Sequence, residues 1–199
     1  MQRLSLAFLA VPAVALACLA PAAHASSPLN LGIGGGITMP TNGTGDVLKN
    51  GFHVRGLAEL HIPELPFALR GALGYQKMDI KDAVQAATAT TNGASQVLSG
   101  LAGVTFPLMA SGPVRPYITA SLGAFNIKGE ANDSTGVSVS NSKTHFGIDG
   151  GAGLKFAMGP THGFVEARLE NVYTDSGWNA AVTSVKNARF IPITFGFSF

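Results

Sequence analysis

Cysteine is all but missing. Cys18 is the only one in 199 residues, and it falls in an amino-terminal segment expected to be removed, so disulfides, thiol catalysis and zinc–thiolate sites are excluded from the remainder. Charge is scarce as well, at 12% of residues against about a quarter in an average soluble domain. The 13 basic and 11 acidic side chains nearly cancel, which leaves no basic footprint for nucleic acid. After the leader no apolar run reaches the roughly 20 residues of a membrane-spanning helix. The leader itself has a basic start at Arg3, an apolar centre from Leu4 to Ala20, and the small-x-small site Ala23-His24-Ala25. That pattern predicts a signal peptide over residues 1–25, cleaved after Ala25, with one domain over 26–199. Ala15-Leu16-Ala17 precede Cys18 in the wrong order for a lipoprotein signal. Export of a cysteine-free chain suits the periplasm or the outer membrane.

What the chain does have is alternation. From Ile191 to Phe199 every odd position is large and apolar, with Phe195, Phe197 and Phe199 at its end, and the even positions are Pro192, Thr194, Gly196 and Ser198. Period two means a strand with two unlike faces. Five bulky apolar groups in a row form an aggregation template unless something covers them, and lipid would do so.

Eight strand-like stretches follow one another: Leu29 to Thr38, Phe52 to Ile62, Pro66 to Met78, Ser95 to Phe106, Val114 to Ile127, His145 to Phe156, Gly163 to Thr174 and Ala188 to Phe199. Connections after the second, fourth and sixth are short and rich in proline or glycine. Those after the odd strands, Met39 to Gly51, Asp79 to Ala94, Lys128 to Thr144 and Asp175 to Asn187, are long and polar. Such sorting is the layout of a transmembrane barrel. Within the second long loop, Asp82 to Ala89 predicts a turn or two of helix capped by Asp82.

Charge decides the faces. Arg55, Glu59, Arg70, Asp149, Lys155, Glu166, Arg168 and Glu170 share one parity with many glycines, and the opposite parity is apolar. A charge facing lipid costs up to about 2 to 4 kcal/mol near the midplane, so the charged parity points inward. A lipocalin would reverse this and fill its interior with apolar groups. Inward glycines such as Gly147, Gly151 and Gly153 make room in a narrow lumen, which favours the polar interior. Aromatic residues gather at the strand ends. Tyr117, Phe125, Phe164 and Phe190 break that parity, which fits either a bulge or an aromatic inside the lumen.

Taken together, the leader, the eight alternating strands, the sorted loops and the Phe-Gly-Phe-Ser-Phe terminus resemble the small OmpA/OmpX-type and opacity-like outer-membrane β-barrel family. The resemblance implies an eight-stranded antiparallel up-and-down transmembrane β-barrel, monomeric, in the bacterial outer membrane among lipid and lipopolysaccharide. It also implies recognition of the terminal strand, with Phe195, Phe197 and Phe199 as assembly signal, by the barrel-assembly machinery. The inward charges are expected at two levels, Glu59, Arg70, Lys155 and Glu166 toward the short turns and Arg55, Asp149, Arg168 and Glu170 toward the loops, each with two cations and two anions. Such a plug suits a structural or surface role, in envelope integrity or adhesion to an extracellular partner. The alternatives are a narrow pore or transporter for small or hydrophobic solutes, and a lipid A-modifying enzyme.

No cofactor or metal is expected. His53, His61, His145 and His162 show no metal spacing and read as polar strand-end residues, and no His-x-Ser-Asn deacylase stretch occurs. Glu130, Asn132 and Asp133 lack the full calcium-loop pattern. Gly32-Ile-Gly34-Gly-Gly36 has no helix after it to hold a phosphate. Trp178 is a lone aromatic in the last long loop.

Overall fold

A computed structural model describes residues 28–87, 90–109, 111–133, 138–159, 161–174 and 187–199. The leader and Trp178 lie outside them. The strands are β1 (Leu29–Thr41), β2 (Gly51–His61), β3 (Ala68–Asp79), β4 (Thr90–Pro107), β5 (Val114–Asp133), β6 (Ser138–Met158), β7 (Thr161–Tyr173) and β8 (Asn187–Ser198). Each pairs antiparallel with its sequence neighbours, and β1 also pairs with β8, Gly34 opposite Gly196, to close an eight-stranded barrel. Backbone bonds between Leu31 and Phe199, 2.9 and 2.8 Å, carry the seam to the last residue. Closure satisfies the backbone polar groups that an open edge would leave facing hydrocarbon. Among the described residues no helix is long and apolar enough to cross a membrane.

The alternation read from the sequence separates the faces. Ile33, Leu73, Leu98, Leu122, Phe146, Leu169 and Phe195 are exposed on the outer wall, while all eight inward charges except Lys155 are buried. Ring pairs mark the ends of the apolar band: Phe67 with Phe106, 5.3 Å apart, near the short turns, and Phe52 with Tyr75 (6.5 Å) and Phe146 with Tyr173 (6.2 Å) near the loops. Two of the short connections need a left-handed residue, supplied by Gly112 (φ 121°) and Gly159 (φ 66°).

Three strands run further than expected. β4, β5 and β6 have 18, 20 and 21 residues, where about 9 to 11 suffice to cross a bilayer. Of the expected long loops, Thr90 to Ala94, Lys128 to Asp133 and Ser138 to Thr144 are therefore strand. The outer wall changes character as it leaves the band. Gln96, Asn126, Lys128, Glu130, Ser142 and Thr144 replace the leucines and phenylalanines below, and they bond among themselves, Asn126 to Thr144 at 3.0 Å and Lys128 to Glu130 at 2.5 Å. Polar alternation resembles loop in a sequence and is strand here because each segment finds its neighbour in register.

The first long loop folds inward. A short helix α1 (Gly43–Val47) is followed by Leu48, which makes an isolated antiparallel bridge with Ile80. Lys49 N–H donates to Asp79 O, and Lys81 N–H to Val47 O, both at 2.8 Å. The second helix, α2 (Asp82–Ala87), starts at Asp82. The Asp82 carboxylate accepts a bond from Lys49 Nζ at 2.8 Å, which ties the two loops together.

Candidate functional site

The barrel interior holds the chemistry. An eight-stranded lumen is just wide enough for side chains to meet across it, so residues far apart in sequence converge. At the short-turn level Arg70 donates twice to Glu166, at 2.7 and 2.8 Å, a bidentate pair. Tyr117 O–H donates to the same carboxylate at 2.9 Å. Glu59 accepts from Lys155 Nζ and, at 2.9 Å, from Thr105 Oγ1. Arg70 stands 3.8 Å from Glu59 and joins the two pairs.

Nearer the loops, Arg55 donates to Glu170 at 2.8 Å and lies 3.5 Å from Asp149. Arg168 donates to Asp149 at 2.5 Å and stands 3.2 Å from Glu170. Its Nε, 3.0 Å from Glu166, links this level to the one below, though neither Nε nor Nη2 is aligned for a hydrogen bond. Gln76 donates to the second Glu170 oxygen at 2.6 Å. The structure thus brings all eight sequence-selected charges into one network, four cations with four anions. The Glu166 side chain is fully enclosed, and so is that of Glu170, where a carboxylate is tolerable only because several donors converge on it.

Four aromatic residues that broke parity lie in the lumen, all at most 4% exposed. No bulge is involved, since β5 runs in unbroken register past Tyr117 and Phe125. Three of the rings cover glycine. A Cβ added at Gly147 would meet Phe125 at 2.6 Å, one at Gly153 would meet Tyr117 at 2.5 Å, and one at Gly196 would meet Phe164 at 2.5 Å. The inward glycines are seats for rings as well as room for charges.

Two features escaped the sequence reading. Above the charges the interior turns apolar: Leu48, Met78, Val97, Leu101, Phe125, Ile127, Val172 and Phe190 form one buried cluster. Leu48 enters it from the folded loop, and nothing in strand periodicity announces a loop residue in the lumen. Arg115 is the second. It shares the inward parity of Tyr117, but it stands between Val114 and Pro116 at the start of the strand, next to the turn, where it reads as a turn residue.

The histidines are not all strand-end groups. His53 is buried and bridges β1 and β8, its Nδ1 3.0 Å from Thr38 Oγ1 and its Nε2 2.9 Å from Thr194 Oγ1. His145 is also buried, whereas His61 is exposed. Glu130 is engaged by Lys128 and by Gln96 at 3.1 Å. The Lys128 ammonium holds its carboxyl below the ordinary value of 4.5. Among the described residues no three His, Cys, Asp or Glu side chains stand together as metal ligands.

The outer membrane protein beta-barrel domain family matches the chain over residues 7–199. Solved structures share the fold, and three illustrate it. Neisserial surface protein A aligns with 88% of this chain and 98% of its own, at 20% identity and a TM-score of 0.57. Ail, the attachment invasion locus protein of Yersinia pestis, solved with the heparin analogue sucrose octasulfate, aligns with 86% and 99%, at 20% identity and a TM-score of 0.50. A major outer membrane protein from Thermus thermophilus aligns with 86% and 97%, at 15% identity and a TM-score of 0.61. Comparison with curated protein sequences returns no match.

Proposed function

Since the chain belongs to the outer membrane protein β-barrel domain family, we propose that it is a sealed barrel with a structural or surface-interaction role rather than a conduit. The observation that carries this reading is the interior. Two levels of paired charge lie under an apolar cluster capped by Leu48, and water or solute would have to displace both to pass. The lengthened β4, β5 and β6 carry a polar outer wall beyond the apolar band. That surface suits contact with an extracellular partner or with neighbouring lipopolysaccharide, in adhesion or envelope integrity.

Export by the amino-terminal leader and action as a monomer belong to the same proposal. So does insertion by the barrel-assembly machinery through Phe195, Phe197 and Phe199, three exposed outward rings at the closing seam. Among the described residues the lumen acids are held in ion pairs, Asp149 by Arg55 and Arg168. General acid–base chemistry needs carboxyls free to meet substrate in a cleft, and Glu59, Glu166 and Glu170 are taken up by cations, amides and hydroxyls. Reconstitution in a planar bilayer tests the reading. Silence at moderate voltage is expected, and reproducible unitary steps would overturn it in favour of a narrow pore. Altered acylation of lipid A on expression of the protein would instead establish a lipid-modifying enzyme.

A further inference from the structure

Interior charge leaves one cation over. Four basic and four acidic groups pair within the lumen, and Arg115 is a fifth cation with no ion pair to an acid among the described residues. It stands directly across from Lys155 in the β5–β6 register. Its Nε is enclosed and donates to nothing. Lys155, paired with Glu59 and 5.3 Å from the Tyr117 ring centre, is itself a cation and adds like charge beside the guanidinium.

More positive or protonatable groups enter at the same end. Lys155 pairs with Phe164 of β7, and His162 lies two residues nearer the turn, across from Ser198 of β8. Diagonal neighbours of this kind are about 7 to 8 Å apart. Beside them is a small cavity of about 10 Å³, lined by Asn30, Glu59, Arg70, Tyr117, Lys155 and Ser198 among others. Glu59 is the acid that lines it, already held by Lys155 and Thr105.

Arg115 is half-buried, with its Nε shut off from water and from any acceptor; a buried donor left unpaired is costly, and a charge-assisted bond from an anion meets it. We propose that the short-turn mouth of the barrel binds an anionic group, carboxylate or phosphate, presented along the barrel axis from the aqueous space on that side, with Arg115 as principal donor and His162 and Lys155 beside it. Lipid headgroups in the bilayer plane are the wrong source. These side chains have inward parity, and the outer wall at this height is Val114, Ile118 and Leu154, all exposed to the bilayer side.

The test uses the full-length protein, isotope-labelled in detergent micelles, titrated with inorganic phosphate and separately with acetate. The Arg115 Nε–H and His162 ring resonances report binding. Saturable shifts with a dissociation constant on the order of millimolar are expected, weakened about tenfold in Arg115→Gln and unchanged in Lys128→Gln on the outer wall. Tighter phosphate binding identifies a phosphorylated ligand, and tighter acetate binding a carboxylate such as a peptide terminus. No saturable shift at ten times that concentration overturns the proposal, and so does full affinity in Arg115→Gln. If Arg115→Gln does not fold, as judged by loss of its heat-dependent gel mobility, the same titration of His162→Gln decides: weakened binding supports the site, and unchanged affinity overturns it.

Discussion

Arg70 and Glu166 show why single residues inside this barrel matter more than their number. Each is held by the other twice, so removing one leaves a buried, uncompensated charge. Arg70→Met is expected to cost about 3 to 5 kcal/mol, and adding Glu166→Leu to restore much of it, because the doubly replaced pair leaves no unmatched carboxylate and strands only the Tyr117 hydroxyl. Urea unfolding from lipid vesicles measures both, and additive losses would refute the coupling. Glycines divide in the same manner. Gly153→Val drives a side chain into the Tyr117 ring and should cost about 1 to 3 kcal/mol. Gly56→Ala, with nothing within 4 Å of the new methyl, should be neutral or stabilise by about 0.5 to 1 kcal/mol. The eight charges were legible because they repeat at period two on strands whose other face is apolar. Arg115 was not: Arg70, the one inward charge of its strand, stands between Leu69 and Leu73, whereas Arg115 stands between Val114 and Pro116 beside a turn, where the apolar flank is broken. The ring-on-glycine contacts were not legible, since they join residues from different strands.

At the level of elements, the strands in the membrane were readable and those beyond it were not. Alternation of the expected kind exists where the outer wall meets lipid; above the band that wall turns polar while Val97 and Ile127 stay buried inside, and β4, β5 and β6 continue in hydrogen-bonded register. Stability there is electrostatic and weak. Because Glu130 titrates below 4.5 in the folded chain, its pairing with Lys128 contributes fully above about pH 4.5 and is lost as the pH falls through that lower value. A carboxyl-carbon titration should place the Glu130 midpoint below that of Glu130 in Lys128→Gln. The folded loop is bound more firmly, through Leu48 in the apolar cluster. Leu48→Asp should free it without opening the barrel. Amide exchange at Lys49 and Lys81 should rise by orders of magnitude, while that at Arg168 and Glu170 stays slow.

For the molecule as a whole, electrophoresis of outer membranes without boiling is expected to give a band that shifts on heating, as closed transmembrane barrels do in cold detergent. A chain found soluble and unshifted would mean the two faces are assigned backwards. The pairing of β1 with β8, Gly34 against Gly196, also sets an order of events in time. The first strand finds its second partner only when the last strand is present, so no ribosome-bound fragment can complete the fold. Any arc of fewer than eight strands exposes two unpaired backbone edges, each unmet group costing several kcal/mol in hydrocarbon. Closure is therefore a cooperative event, and the barrel has no stable half-built form in hydrocarbon.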